Sequence, residues 1–300
     1  MSTLKKFAGQ TAIYGVTTVF SRILGFILTP LYVKTFAPHV YGILSYMFSW
    51  AAMLNAVLAF GMETTFFRYL NKDGNSKDKV YNNTFWVITS LSAVFLTVSL
   101  LFSSNIAQWM EGEKGTSVQD YTSYIRFFVL ILVLDGLSVI PFAKVRAEGR
   151  PLRYGAIKII NILTFVTFNL FFLLAIPKIL ENGGQLASYF SWYREDWVGY
   201  VFLSNLLASG ITLLLLIPEL RKLQLQADWS FIKGMIVYSF PIFVANLSFI
   251  INENLDKIFL KELLPAGVGE EQVGIYSACA KIAIFLSIFI NAFPLGAEPL

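Results

Sequence analysis

The chain has 300 residues, 56% of them hydrophobic and only 14% charged, with a formal net charge of +4. Soluble domains carry roughly 25% charged residues, so this much apolar surface needs lipid as its solvent. In a membrane protein the placement of Lys and Arg matters more than their sum, so the charge is no nucleic-acid footprint, and Cys279 and His39, each the only residue of its type, exclude an intrachain disulfide and a Cys/His metal site.

A bilayer core of about 30 Å takes about 20 apolar residues of helix. Eight stretches qualify: 10–36, 41–69, 82–108, 122–147, 154–178, 197–218, 231–256 and 273–298. An all-α polytopic membrane protein is therefore predicted. The basic start is followed by an apolar stretch too long for a cleaved signal peptide, so the first span is retained.

The first span carries Thr11, Gly15, Thr18, Arg22, Gly25 and Thr29 at alternating spacings of four and three. That spacing draws one small and polar stripe along a helix. Arg22 lies about 18 Å from Gln10, too deep to reach water easily. The second span ends in GMETTFFRY, where Glu63 and Arg68 form either a solvated pair or a gating or proton site. Asp135 in the fourth span also lies near mid-depth, and a buried Arg22–Asp135 pair is one reading of both. The connection 179–196, with its SYFSWY run, reads as an aromatic belt at the membrane surface. In the seventh span Asn246, Glu253 and Asp256 share a face, as a cation or sugar-hydroxyl site or as a hydrated helix end. In the eighth, Gly274, Ser277, Lys281 and Asn291 share a face, with Lys281 about 12 Å in from Val273.

The connections alternate in charge. With the N-terminus in the cytoplasm, the inside holds Lys5, Lys6, Arg68, Lys72, Lys77, Lys79, Lys144, Arg146, Arg150, Arg153, Lys158, Arg221, Lys222 and Lys233, fourteen in all. The outside holds seven: Lys34, Lys114, Arg126, Lys178, Arg194, Lys257 and Lys261. This is the positive-inside pattern. The loops are short, so a sizeable catalytic domain outside the membrane is not expected.

Two stretches echo each other. Gly42-Ile43-Leu44-Ser45 and Gly274-Ile275-Tyr276-Ser277 each open a returning helix, pairing span 1 with span 7 and span 2 with span 8. A six-span unit that begins again is predicted, with 1–222 as an N-terminal lobe and 223–300 as the start of a second. Parallel repeats with substrate between them are a transporter architecture. The expectation is that these residues are the front part of a protein of about a dozen spans.

The motifs GQTAIYG, FSRILGF, YGILSY, GMETTFFRY, NENLDKIFLKELL, VGIYSACAKIA and GAEP, in this order, resemble the multidrug/oligosaccharidyl-lipid/polysaccharide (MOP) exporter superfamily. The branch they resemble is that of the bacterial polysaccharide, or O-antigen, flippases. The resemblance implies two six-helix lobes of MATE type around a central cavity, in the bacterial cytoplasmic (inner) membrane. It implies transport by alternating access of an undecaprenyl-diphosphate-linked oligosaccharide, for lipopolysaccharide or another surface glycan, with no cofactor. Membrane lipids and the polysaccharide polymerase machinery would be its partners. Arg22 and Lys281 would hold the diphosphate. Asp135 and Asn246 as further substrate residues, and Glu63, Arg68, Glu253 and Asp256 as gating or ion-coupling candidates, follow from their placement in the spans and not from the resemblance. Arg22 matches a first-helix arginine of the lipid II flippases, whose motif continues with Arg-Asp where Leu28 and Thr29 stand here. That departure argues against a peptidoglycan precursor. The alternatives are a cation-coupled multidrug antiporter and a membrane glycan polymerase or ligase.

Overall fold

The computed structural model describes residues 26–111, 116–183, 185–224, 226–265 and 268–297, with side chains to residue 283. Every regular element among them is a helix. The described part of α1 covers 26–35. There follow α2 (Pro38–Ala59), α3 (Met62–Leu70), α4 (Lys77–Leu101), α5 (Ser103–Met110), α6 (Val118–Ala147) and α7 (Pro151–Leu170). Next come α8 (Ile176–Asn182), α9 (Gln185–Ser188), α10 (Gly199–Leu215), α11 (Ile217–Leu220), α12 (Trp229–Leu263) and α13 (Gly269–Ala297). Five of these stretches are long and apolar enough to cross a membrane: Pro38–Leu70, Lys77–Leu101, Val118–Ala147, Pro151–Asn182 and Trp229–Leu263. The apolar Gly199–Leu215 is shorter.

The helix ends follow from local chemistry. Pro38 and Pro151 open α2 and α7, where a missing N–H matters least. The Ser117 hydroxyl accepts from the Asp120 N–H to cap α6, and the Asp228 carboxylate accepts from the Phe231 N–H to cap α12. Lys144 and Arg146 lie in the last turn of α6, facing its negative pole.

Three predicted spans are less regular than expected. The stretch 41–69 breaks at Phe60 and Gly61, with φ of 45° and 66°. Both residues are left-handed, so α3 leaves at a new angle; glycine accepts that conformation readily, whereas phenylalanine is strained in it. The stretch 82–108 turns at Phe102 into the separate α5. Between α7 and α8 lies one π-turn, Phe171–Ala175. Pro177 has no N–H for the Leu173 carbonyl and crowds it, and the wider turn relieves both.

Helix α6 is the centre of the bundle. Half of its most apolar stretch is buried (50%), against 11% for α12. It packs against α2, α3, α4, α5, α7 and α10. Its large apolar side chains fill two clusters. One includes Tyr46, Tyr121, Phe128, Phe202 and Ile176. The other includes Met62, Phe66, Val80, Ile140 and Met235.

The connections sort to two ends. At what we call the Arg150 end, Asn82 and Asn83 accept the Gln224 and Asp228 N–H groups at 3.1 and 2.7 Å. Lys79 pairs with Asp228 at 2.7 Å. Glu219 is fully buried and takes Arg150 and Arg153 at 2.9 and 2.8 Å. At the opposite Pro38 end, Asp120 accepts both Arg194 terminal nitrogens (2.7 and 3.0 Å) and the Trp197 indole N–H (2.9 Å). Those bonds raise the Arg194 pKa above its usual value and pin the segment that leads into α10. Tyr189 and Trp192 of the SYFSWY run stay exposed beside the stacked Tyr193 and Tyr200 rings.

Candidate functional site

A group of polar residues on the spans lines a cavity of about 310 Å³ between α2, α3, α6, α7 and α10. Helix α6 brings Asp135, Ser138 and Arg146, and α7 brings Lys158 and Asn161. From α10 come Asn205, Ser209 and Thr212, at helical spacings of four and three that make one polar stripe. Asn55 and Glu63 complete the lining from α2 and α3.

The charges are balanced within the cavity. Asp135 has the Ser209 hydroxyl beside it and Lys158 as its cationic neighbour. The Lys158 ammonium lies 4.5 Å from the centroid of the Phe142 ring. The Asn161 amide donates to the Thr212 hydroxyl at 2.9 Å. Toward the Arg150 end, Arg146 pairs with Glu63 and lies over the Phe67 ring at 5.1 Å. Two carboxylates, two cations and three side-chain amides therefore face one space. Such a lining can hydrogen-bond hydroxyl-rich or ionic groups.

The residues singled out in the sequence divide. Asp135 and Glu63 meet in this cavity. Glu63, however, pairs with Arg146 and not with Arg68, because the break at Phe60–Gly61 re-aims α3. Arg68 lies 4.6 Å over the Tyr238 ring instead. Arg22, and with it the Arg22–Asp135 pair, lies outside the described residues. Asn246 and Glu253 are exposed along the middle of α12, away from the cavity. Asp256 accepts from the Tyr276 hydroxyl at 2.6 Å and pairs with Lys257 at 3.2 Å. Lys281 is exposed on α13, whereas Gly274 and Ser277 on the same stripe are buried. Sequence reasoning missed Lys158, Arg146, Asn161 and Asn205. The stripe 205–209–212 was the signal that could have found the α10 face.

A second feature lies at the Pro38 end. Gly42 of α2 and Gly274 of α13 touch backbone to backbone. A Cβ on Gly42 would stand 1.7 Å from the Glu270 carbonyl oxygen, and one on Gly274 2.0 Å from that of Pro38.

Comparison with known proteins agrees with this architecture. The family model described as polysaccharide biosynthesis protein matches residues 7–296. An inward-facing multidrug resistance transporter of the MATE family, in the MOP superfamily, superposes with a TM-score of 0.61 at 16% identity, over 90% of this chain and 58% of that one. The MATE multidrug transporter DinF-BH superposes with a TM-score of 0.60 at 18% identity, over 94% of this chain and 60% of that one. The chain thus spans less than two thirds of the length of either transporter. No curated protein matches the sequence. The family match over nearly the whole length and the shared helical fold place the chain: it belongs to the polysaccharide biosynthesis protein family, with the fold of the MATE transporters of the MOP superfamily.

Proposed function

We propose that the protein exports an undecaprenyl-diphosphate-linked oligosaccharide across the bacterial cytoplasmic membrane by alternating access, with no chemistry of its own. The observation that carries this reading is the cavity. A member of a polysaccharide biosynthesis family holds a water-compatible, amide-rich space inside an apolar bundle, suited to sugar hydroxyls. In this reading the Arg150 end is cytoplasmic, which agrees with the bias of cations toward that side even with Lys158 set aside as a cavity residue. The first 222 residues form one lobe and the remainder begins the second. Arg22 and Lys281 grip the diphosphate, Arg by its bidentate fork. Asp135 and Asn246 serve the substrate; Glu63, Arg68, Glu253 and Asp256 serve gating or coupling. The product is handed to the polysaccharide polymerase machinery.

The test is made in cells lacking the protein. The lipid-linked glycan should accumulate in the inner leaflet, and wild-type protein should restore its export. Arg22→Ala should abolish export at an unchanged protein level, Arg22→Lys should keep part of it, and Lys158→Met should reduce it strongly. Normal leaflet distribution in the deletion strain would refute the reading.

The cavity carboxylates Asp135 and Glu63 favour one second reading, an antiporter of organic cations, which a cation-selective cavity would suit. Lys158 and Arg146 in the same lining oppose it. Dye efflux in the same strain pair separates the two.

A further inference from the structure

Helices α2 and α13 cross at their glycines, and the crossing is reciprocal. Gly42 faces the carbonyl of Glu270, four residues before Gly274; Gly274 faces the carbonyl of Pro38, four residues before Gly42. The two sites are therefore related by a local two-fold axis. They are also the matching positions of the Gly-Ile-X-Ser echo.

The groups around this crossing are unusual for a permanent helix contact. Tyr121, fully buried on α6, donates to Glu270 at 2.6 Å. The Glu270 residue is 4% exposed, and its second carboxylate oxygen has no partner among the described residues. Tyr46 of α2 donates to Glu262 of α12 at 2.7 Å. Lys261 donates to the Met110 carbonyl at 2.9 Å, with its ammonium 4.5 Å from the Tyr46 ring centroid. Lys261 also pairs with Glu262 at 3.5 Å, so three ionisable side chains lie in one seam, with one loose ion pair and otherwise neutral partners. A buried carboxylate oxygen without a hydrogen bond is costly. An apolar contact would hold two helices together without that penalty. The penalty makes sense where the seam spends part of its time in water. If α12 and α13 part together from α2 and α6, Glu262, Glu270, Lys261 and the two tyrosine hydroxyls become the wetted lips of an opening.

We propose that this seam is the gate of the transport path at the Pro38 end, closed in this structure: the Gly42–Gly274 contact is its stop, and the Tyr121–Glu270 and Tyr46–Glu262 bonds are its latches. The inference needs only that the protein transports, whatever its cargo. Glycine is required on both sides because any side chain would hold the helices apart. That geometry makes a bulky residue a wedge.

The experiment uses the full-length protein in membranes, with Cys279→Ser and a reporter thiol at Ser277→Cys. Ser277 is 2% exposed, and its hydroxyl also lacks a partner among the described residues. An impermeant thiol reagent, applied to intact cells and to inverted vesicles, should label this position slowly. Adding Gly42→Leu should raise the labelling rate about tenfold or more from the side on which the Pro38 end opens. Gly210→Ala, where an added Cβ meets nothing within 4 Å, should leave it unchanged. An unchanged rate in a stably inserted Gly42→Leu protein would overturn the proposal. Where the wedge prevents insertion, a Tyr46→Cys, Glu262→Cys pair decides. Bridging the two thiols with a bifunctional reagent should stop transport, and reductive release of the bridge should restore it. Transport that continues with the bridge complete would equally overturn the gate. Labelling reads the gate and the lipid-linked intermediate reads the cargo, so either idea can fail alone.

Discussion

Helices α12 and α13 meet the N-terminal bundle at two places, and the two contacts are built from different materials. Near the Arg150 end, α12 lies on α3 with the apolar side chains of Met62, Phe66, Ile232 and Met235 interlocked. The Phe60 and Phe243 rings stack at 4.8 Å, and the Ser239 hydroxyl donates to the Phe60 carbonyl at 2.7 Å while lying 2.7 Å from that of Thr65. Every buried hydroxyl in that contact is satisfied. Near the Pro38 end the helices touch through backbone, Glu270 is held by the Tyr121 hydroxyl, and Glu262 by the Tyr46 hydroxyl and a loose 3.5 Å pair with Lys261. Apolar interlocking is lost only by exposing its whole area, so it suits a fixed joint. A seam of few hydrogen bonds can be exchanged for water with little net change. Between them Asn246 and Phe249 of α12 are exposed. The difference reads as a pivot at one end and a gate at the other.

The largest expected effect lies beyond the pivot, where the Arg150 end is locked by charge. Glu219→Ala leaves Arg150 and Arg153 without their shared carboxylate. It should cost about 3 kcal/mol, the low end for a broken buried pair because both arginines are about a third exposed. Thermal unfolding in detergent measures it. If the melting temperature holds, the Arg150 end is not locked by this group.

Next in size is the pivot itself. Met235→Ala removes a fully buried side chain and should cost about 2–3 kcal/mol, the lower part of the range for such a truncation, because a contact between two helices can partly collapse onto the gap. It should leave the labelling rate of the Ser277→Cys reporter unchanged. Faster labelling would mean that the two contacts act as one, and the comparison would fail.

The reverse pattern is expected at the gate. Tyr46→Phe loses one hydrogen bond to Glu262 and should change stability by only about 0.5–1.5 kcal/mol. Yet it should speed reporter labelling. A large loss of stability with no change in labelling would make the seam ordinary packing.

How far the sequence foretold these contacts depends on whether the signal was local. The spans were legible because lipid demands long apolar helices whatever their partners. The Gly-Ile-X-Ser echo was legible too, and it marks the residues that meet. The ion pairs were not. Glu63 and Arg68 lie close in sequence and invite pairing, but the left-handed Phe60–Gly61 step turns Glu63 toward Arg146. Lys158 was counted among the cytoplasmic cations because it follows a basic loop. It lies two turns inside α7, in the same cavity as Asp135. Side-chain direction over distances of tens of residues is set by helix packing, which no local pattern encodes.

The smallest expected effect concerns the start of α12, where the pivot is anchored. Asp228 caps the helix and pairs with Lys79 at 2.7 Å, and the Lys79 ammonium beside it holds its carboxyl below the usual carboxylate range. A carboxyl whose pKa is depressed by folding stabilises the protein above its unfolded pKa of about 3.9. That contribution fades as the pH falls through the folded value. The group is open to solvent, so salt and water screen the pair and the effect is slight. Asp228→Asn keeps an oxygen for the Phe231 N–H but loses the charge. The wild type should therefore melt slightly above the variant at pH 7, and the two curves should converge as the pH approaches about 3. High salt should narrow the gap at pH 7 as well. A gap that persists at low pH would assign the stabilisation to the cap instead of the ion pair, and the anchor of the pivot would then be a hydrogen bond with no charge in it.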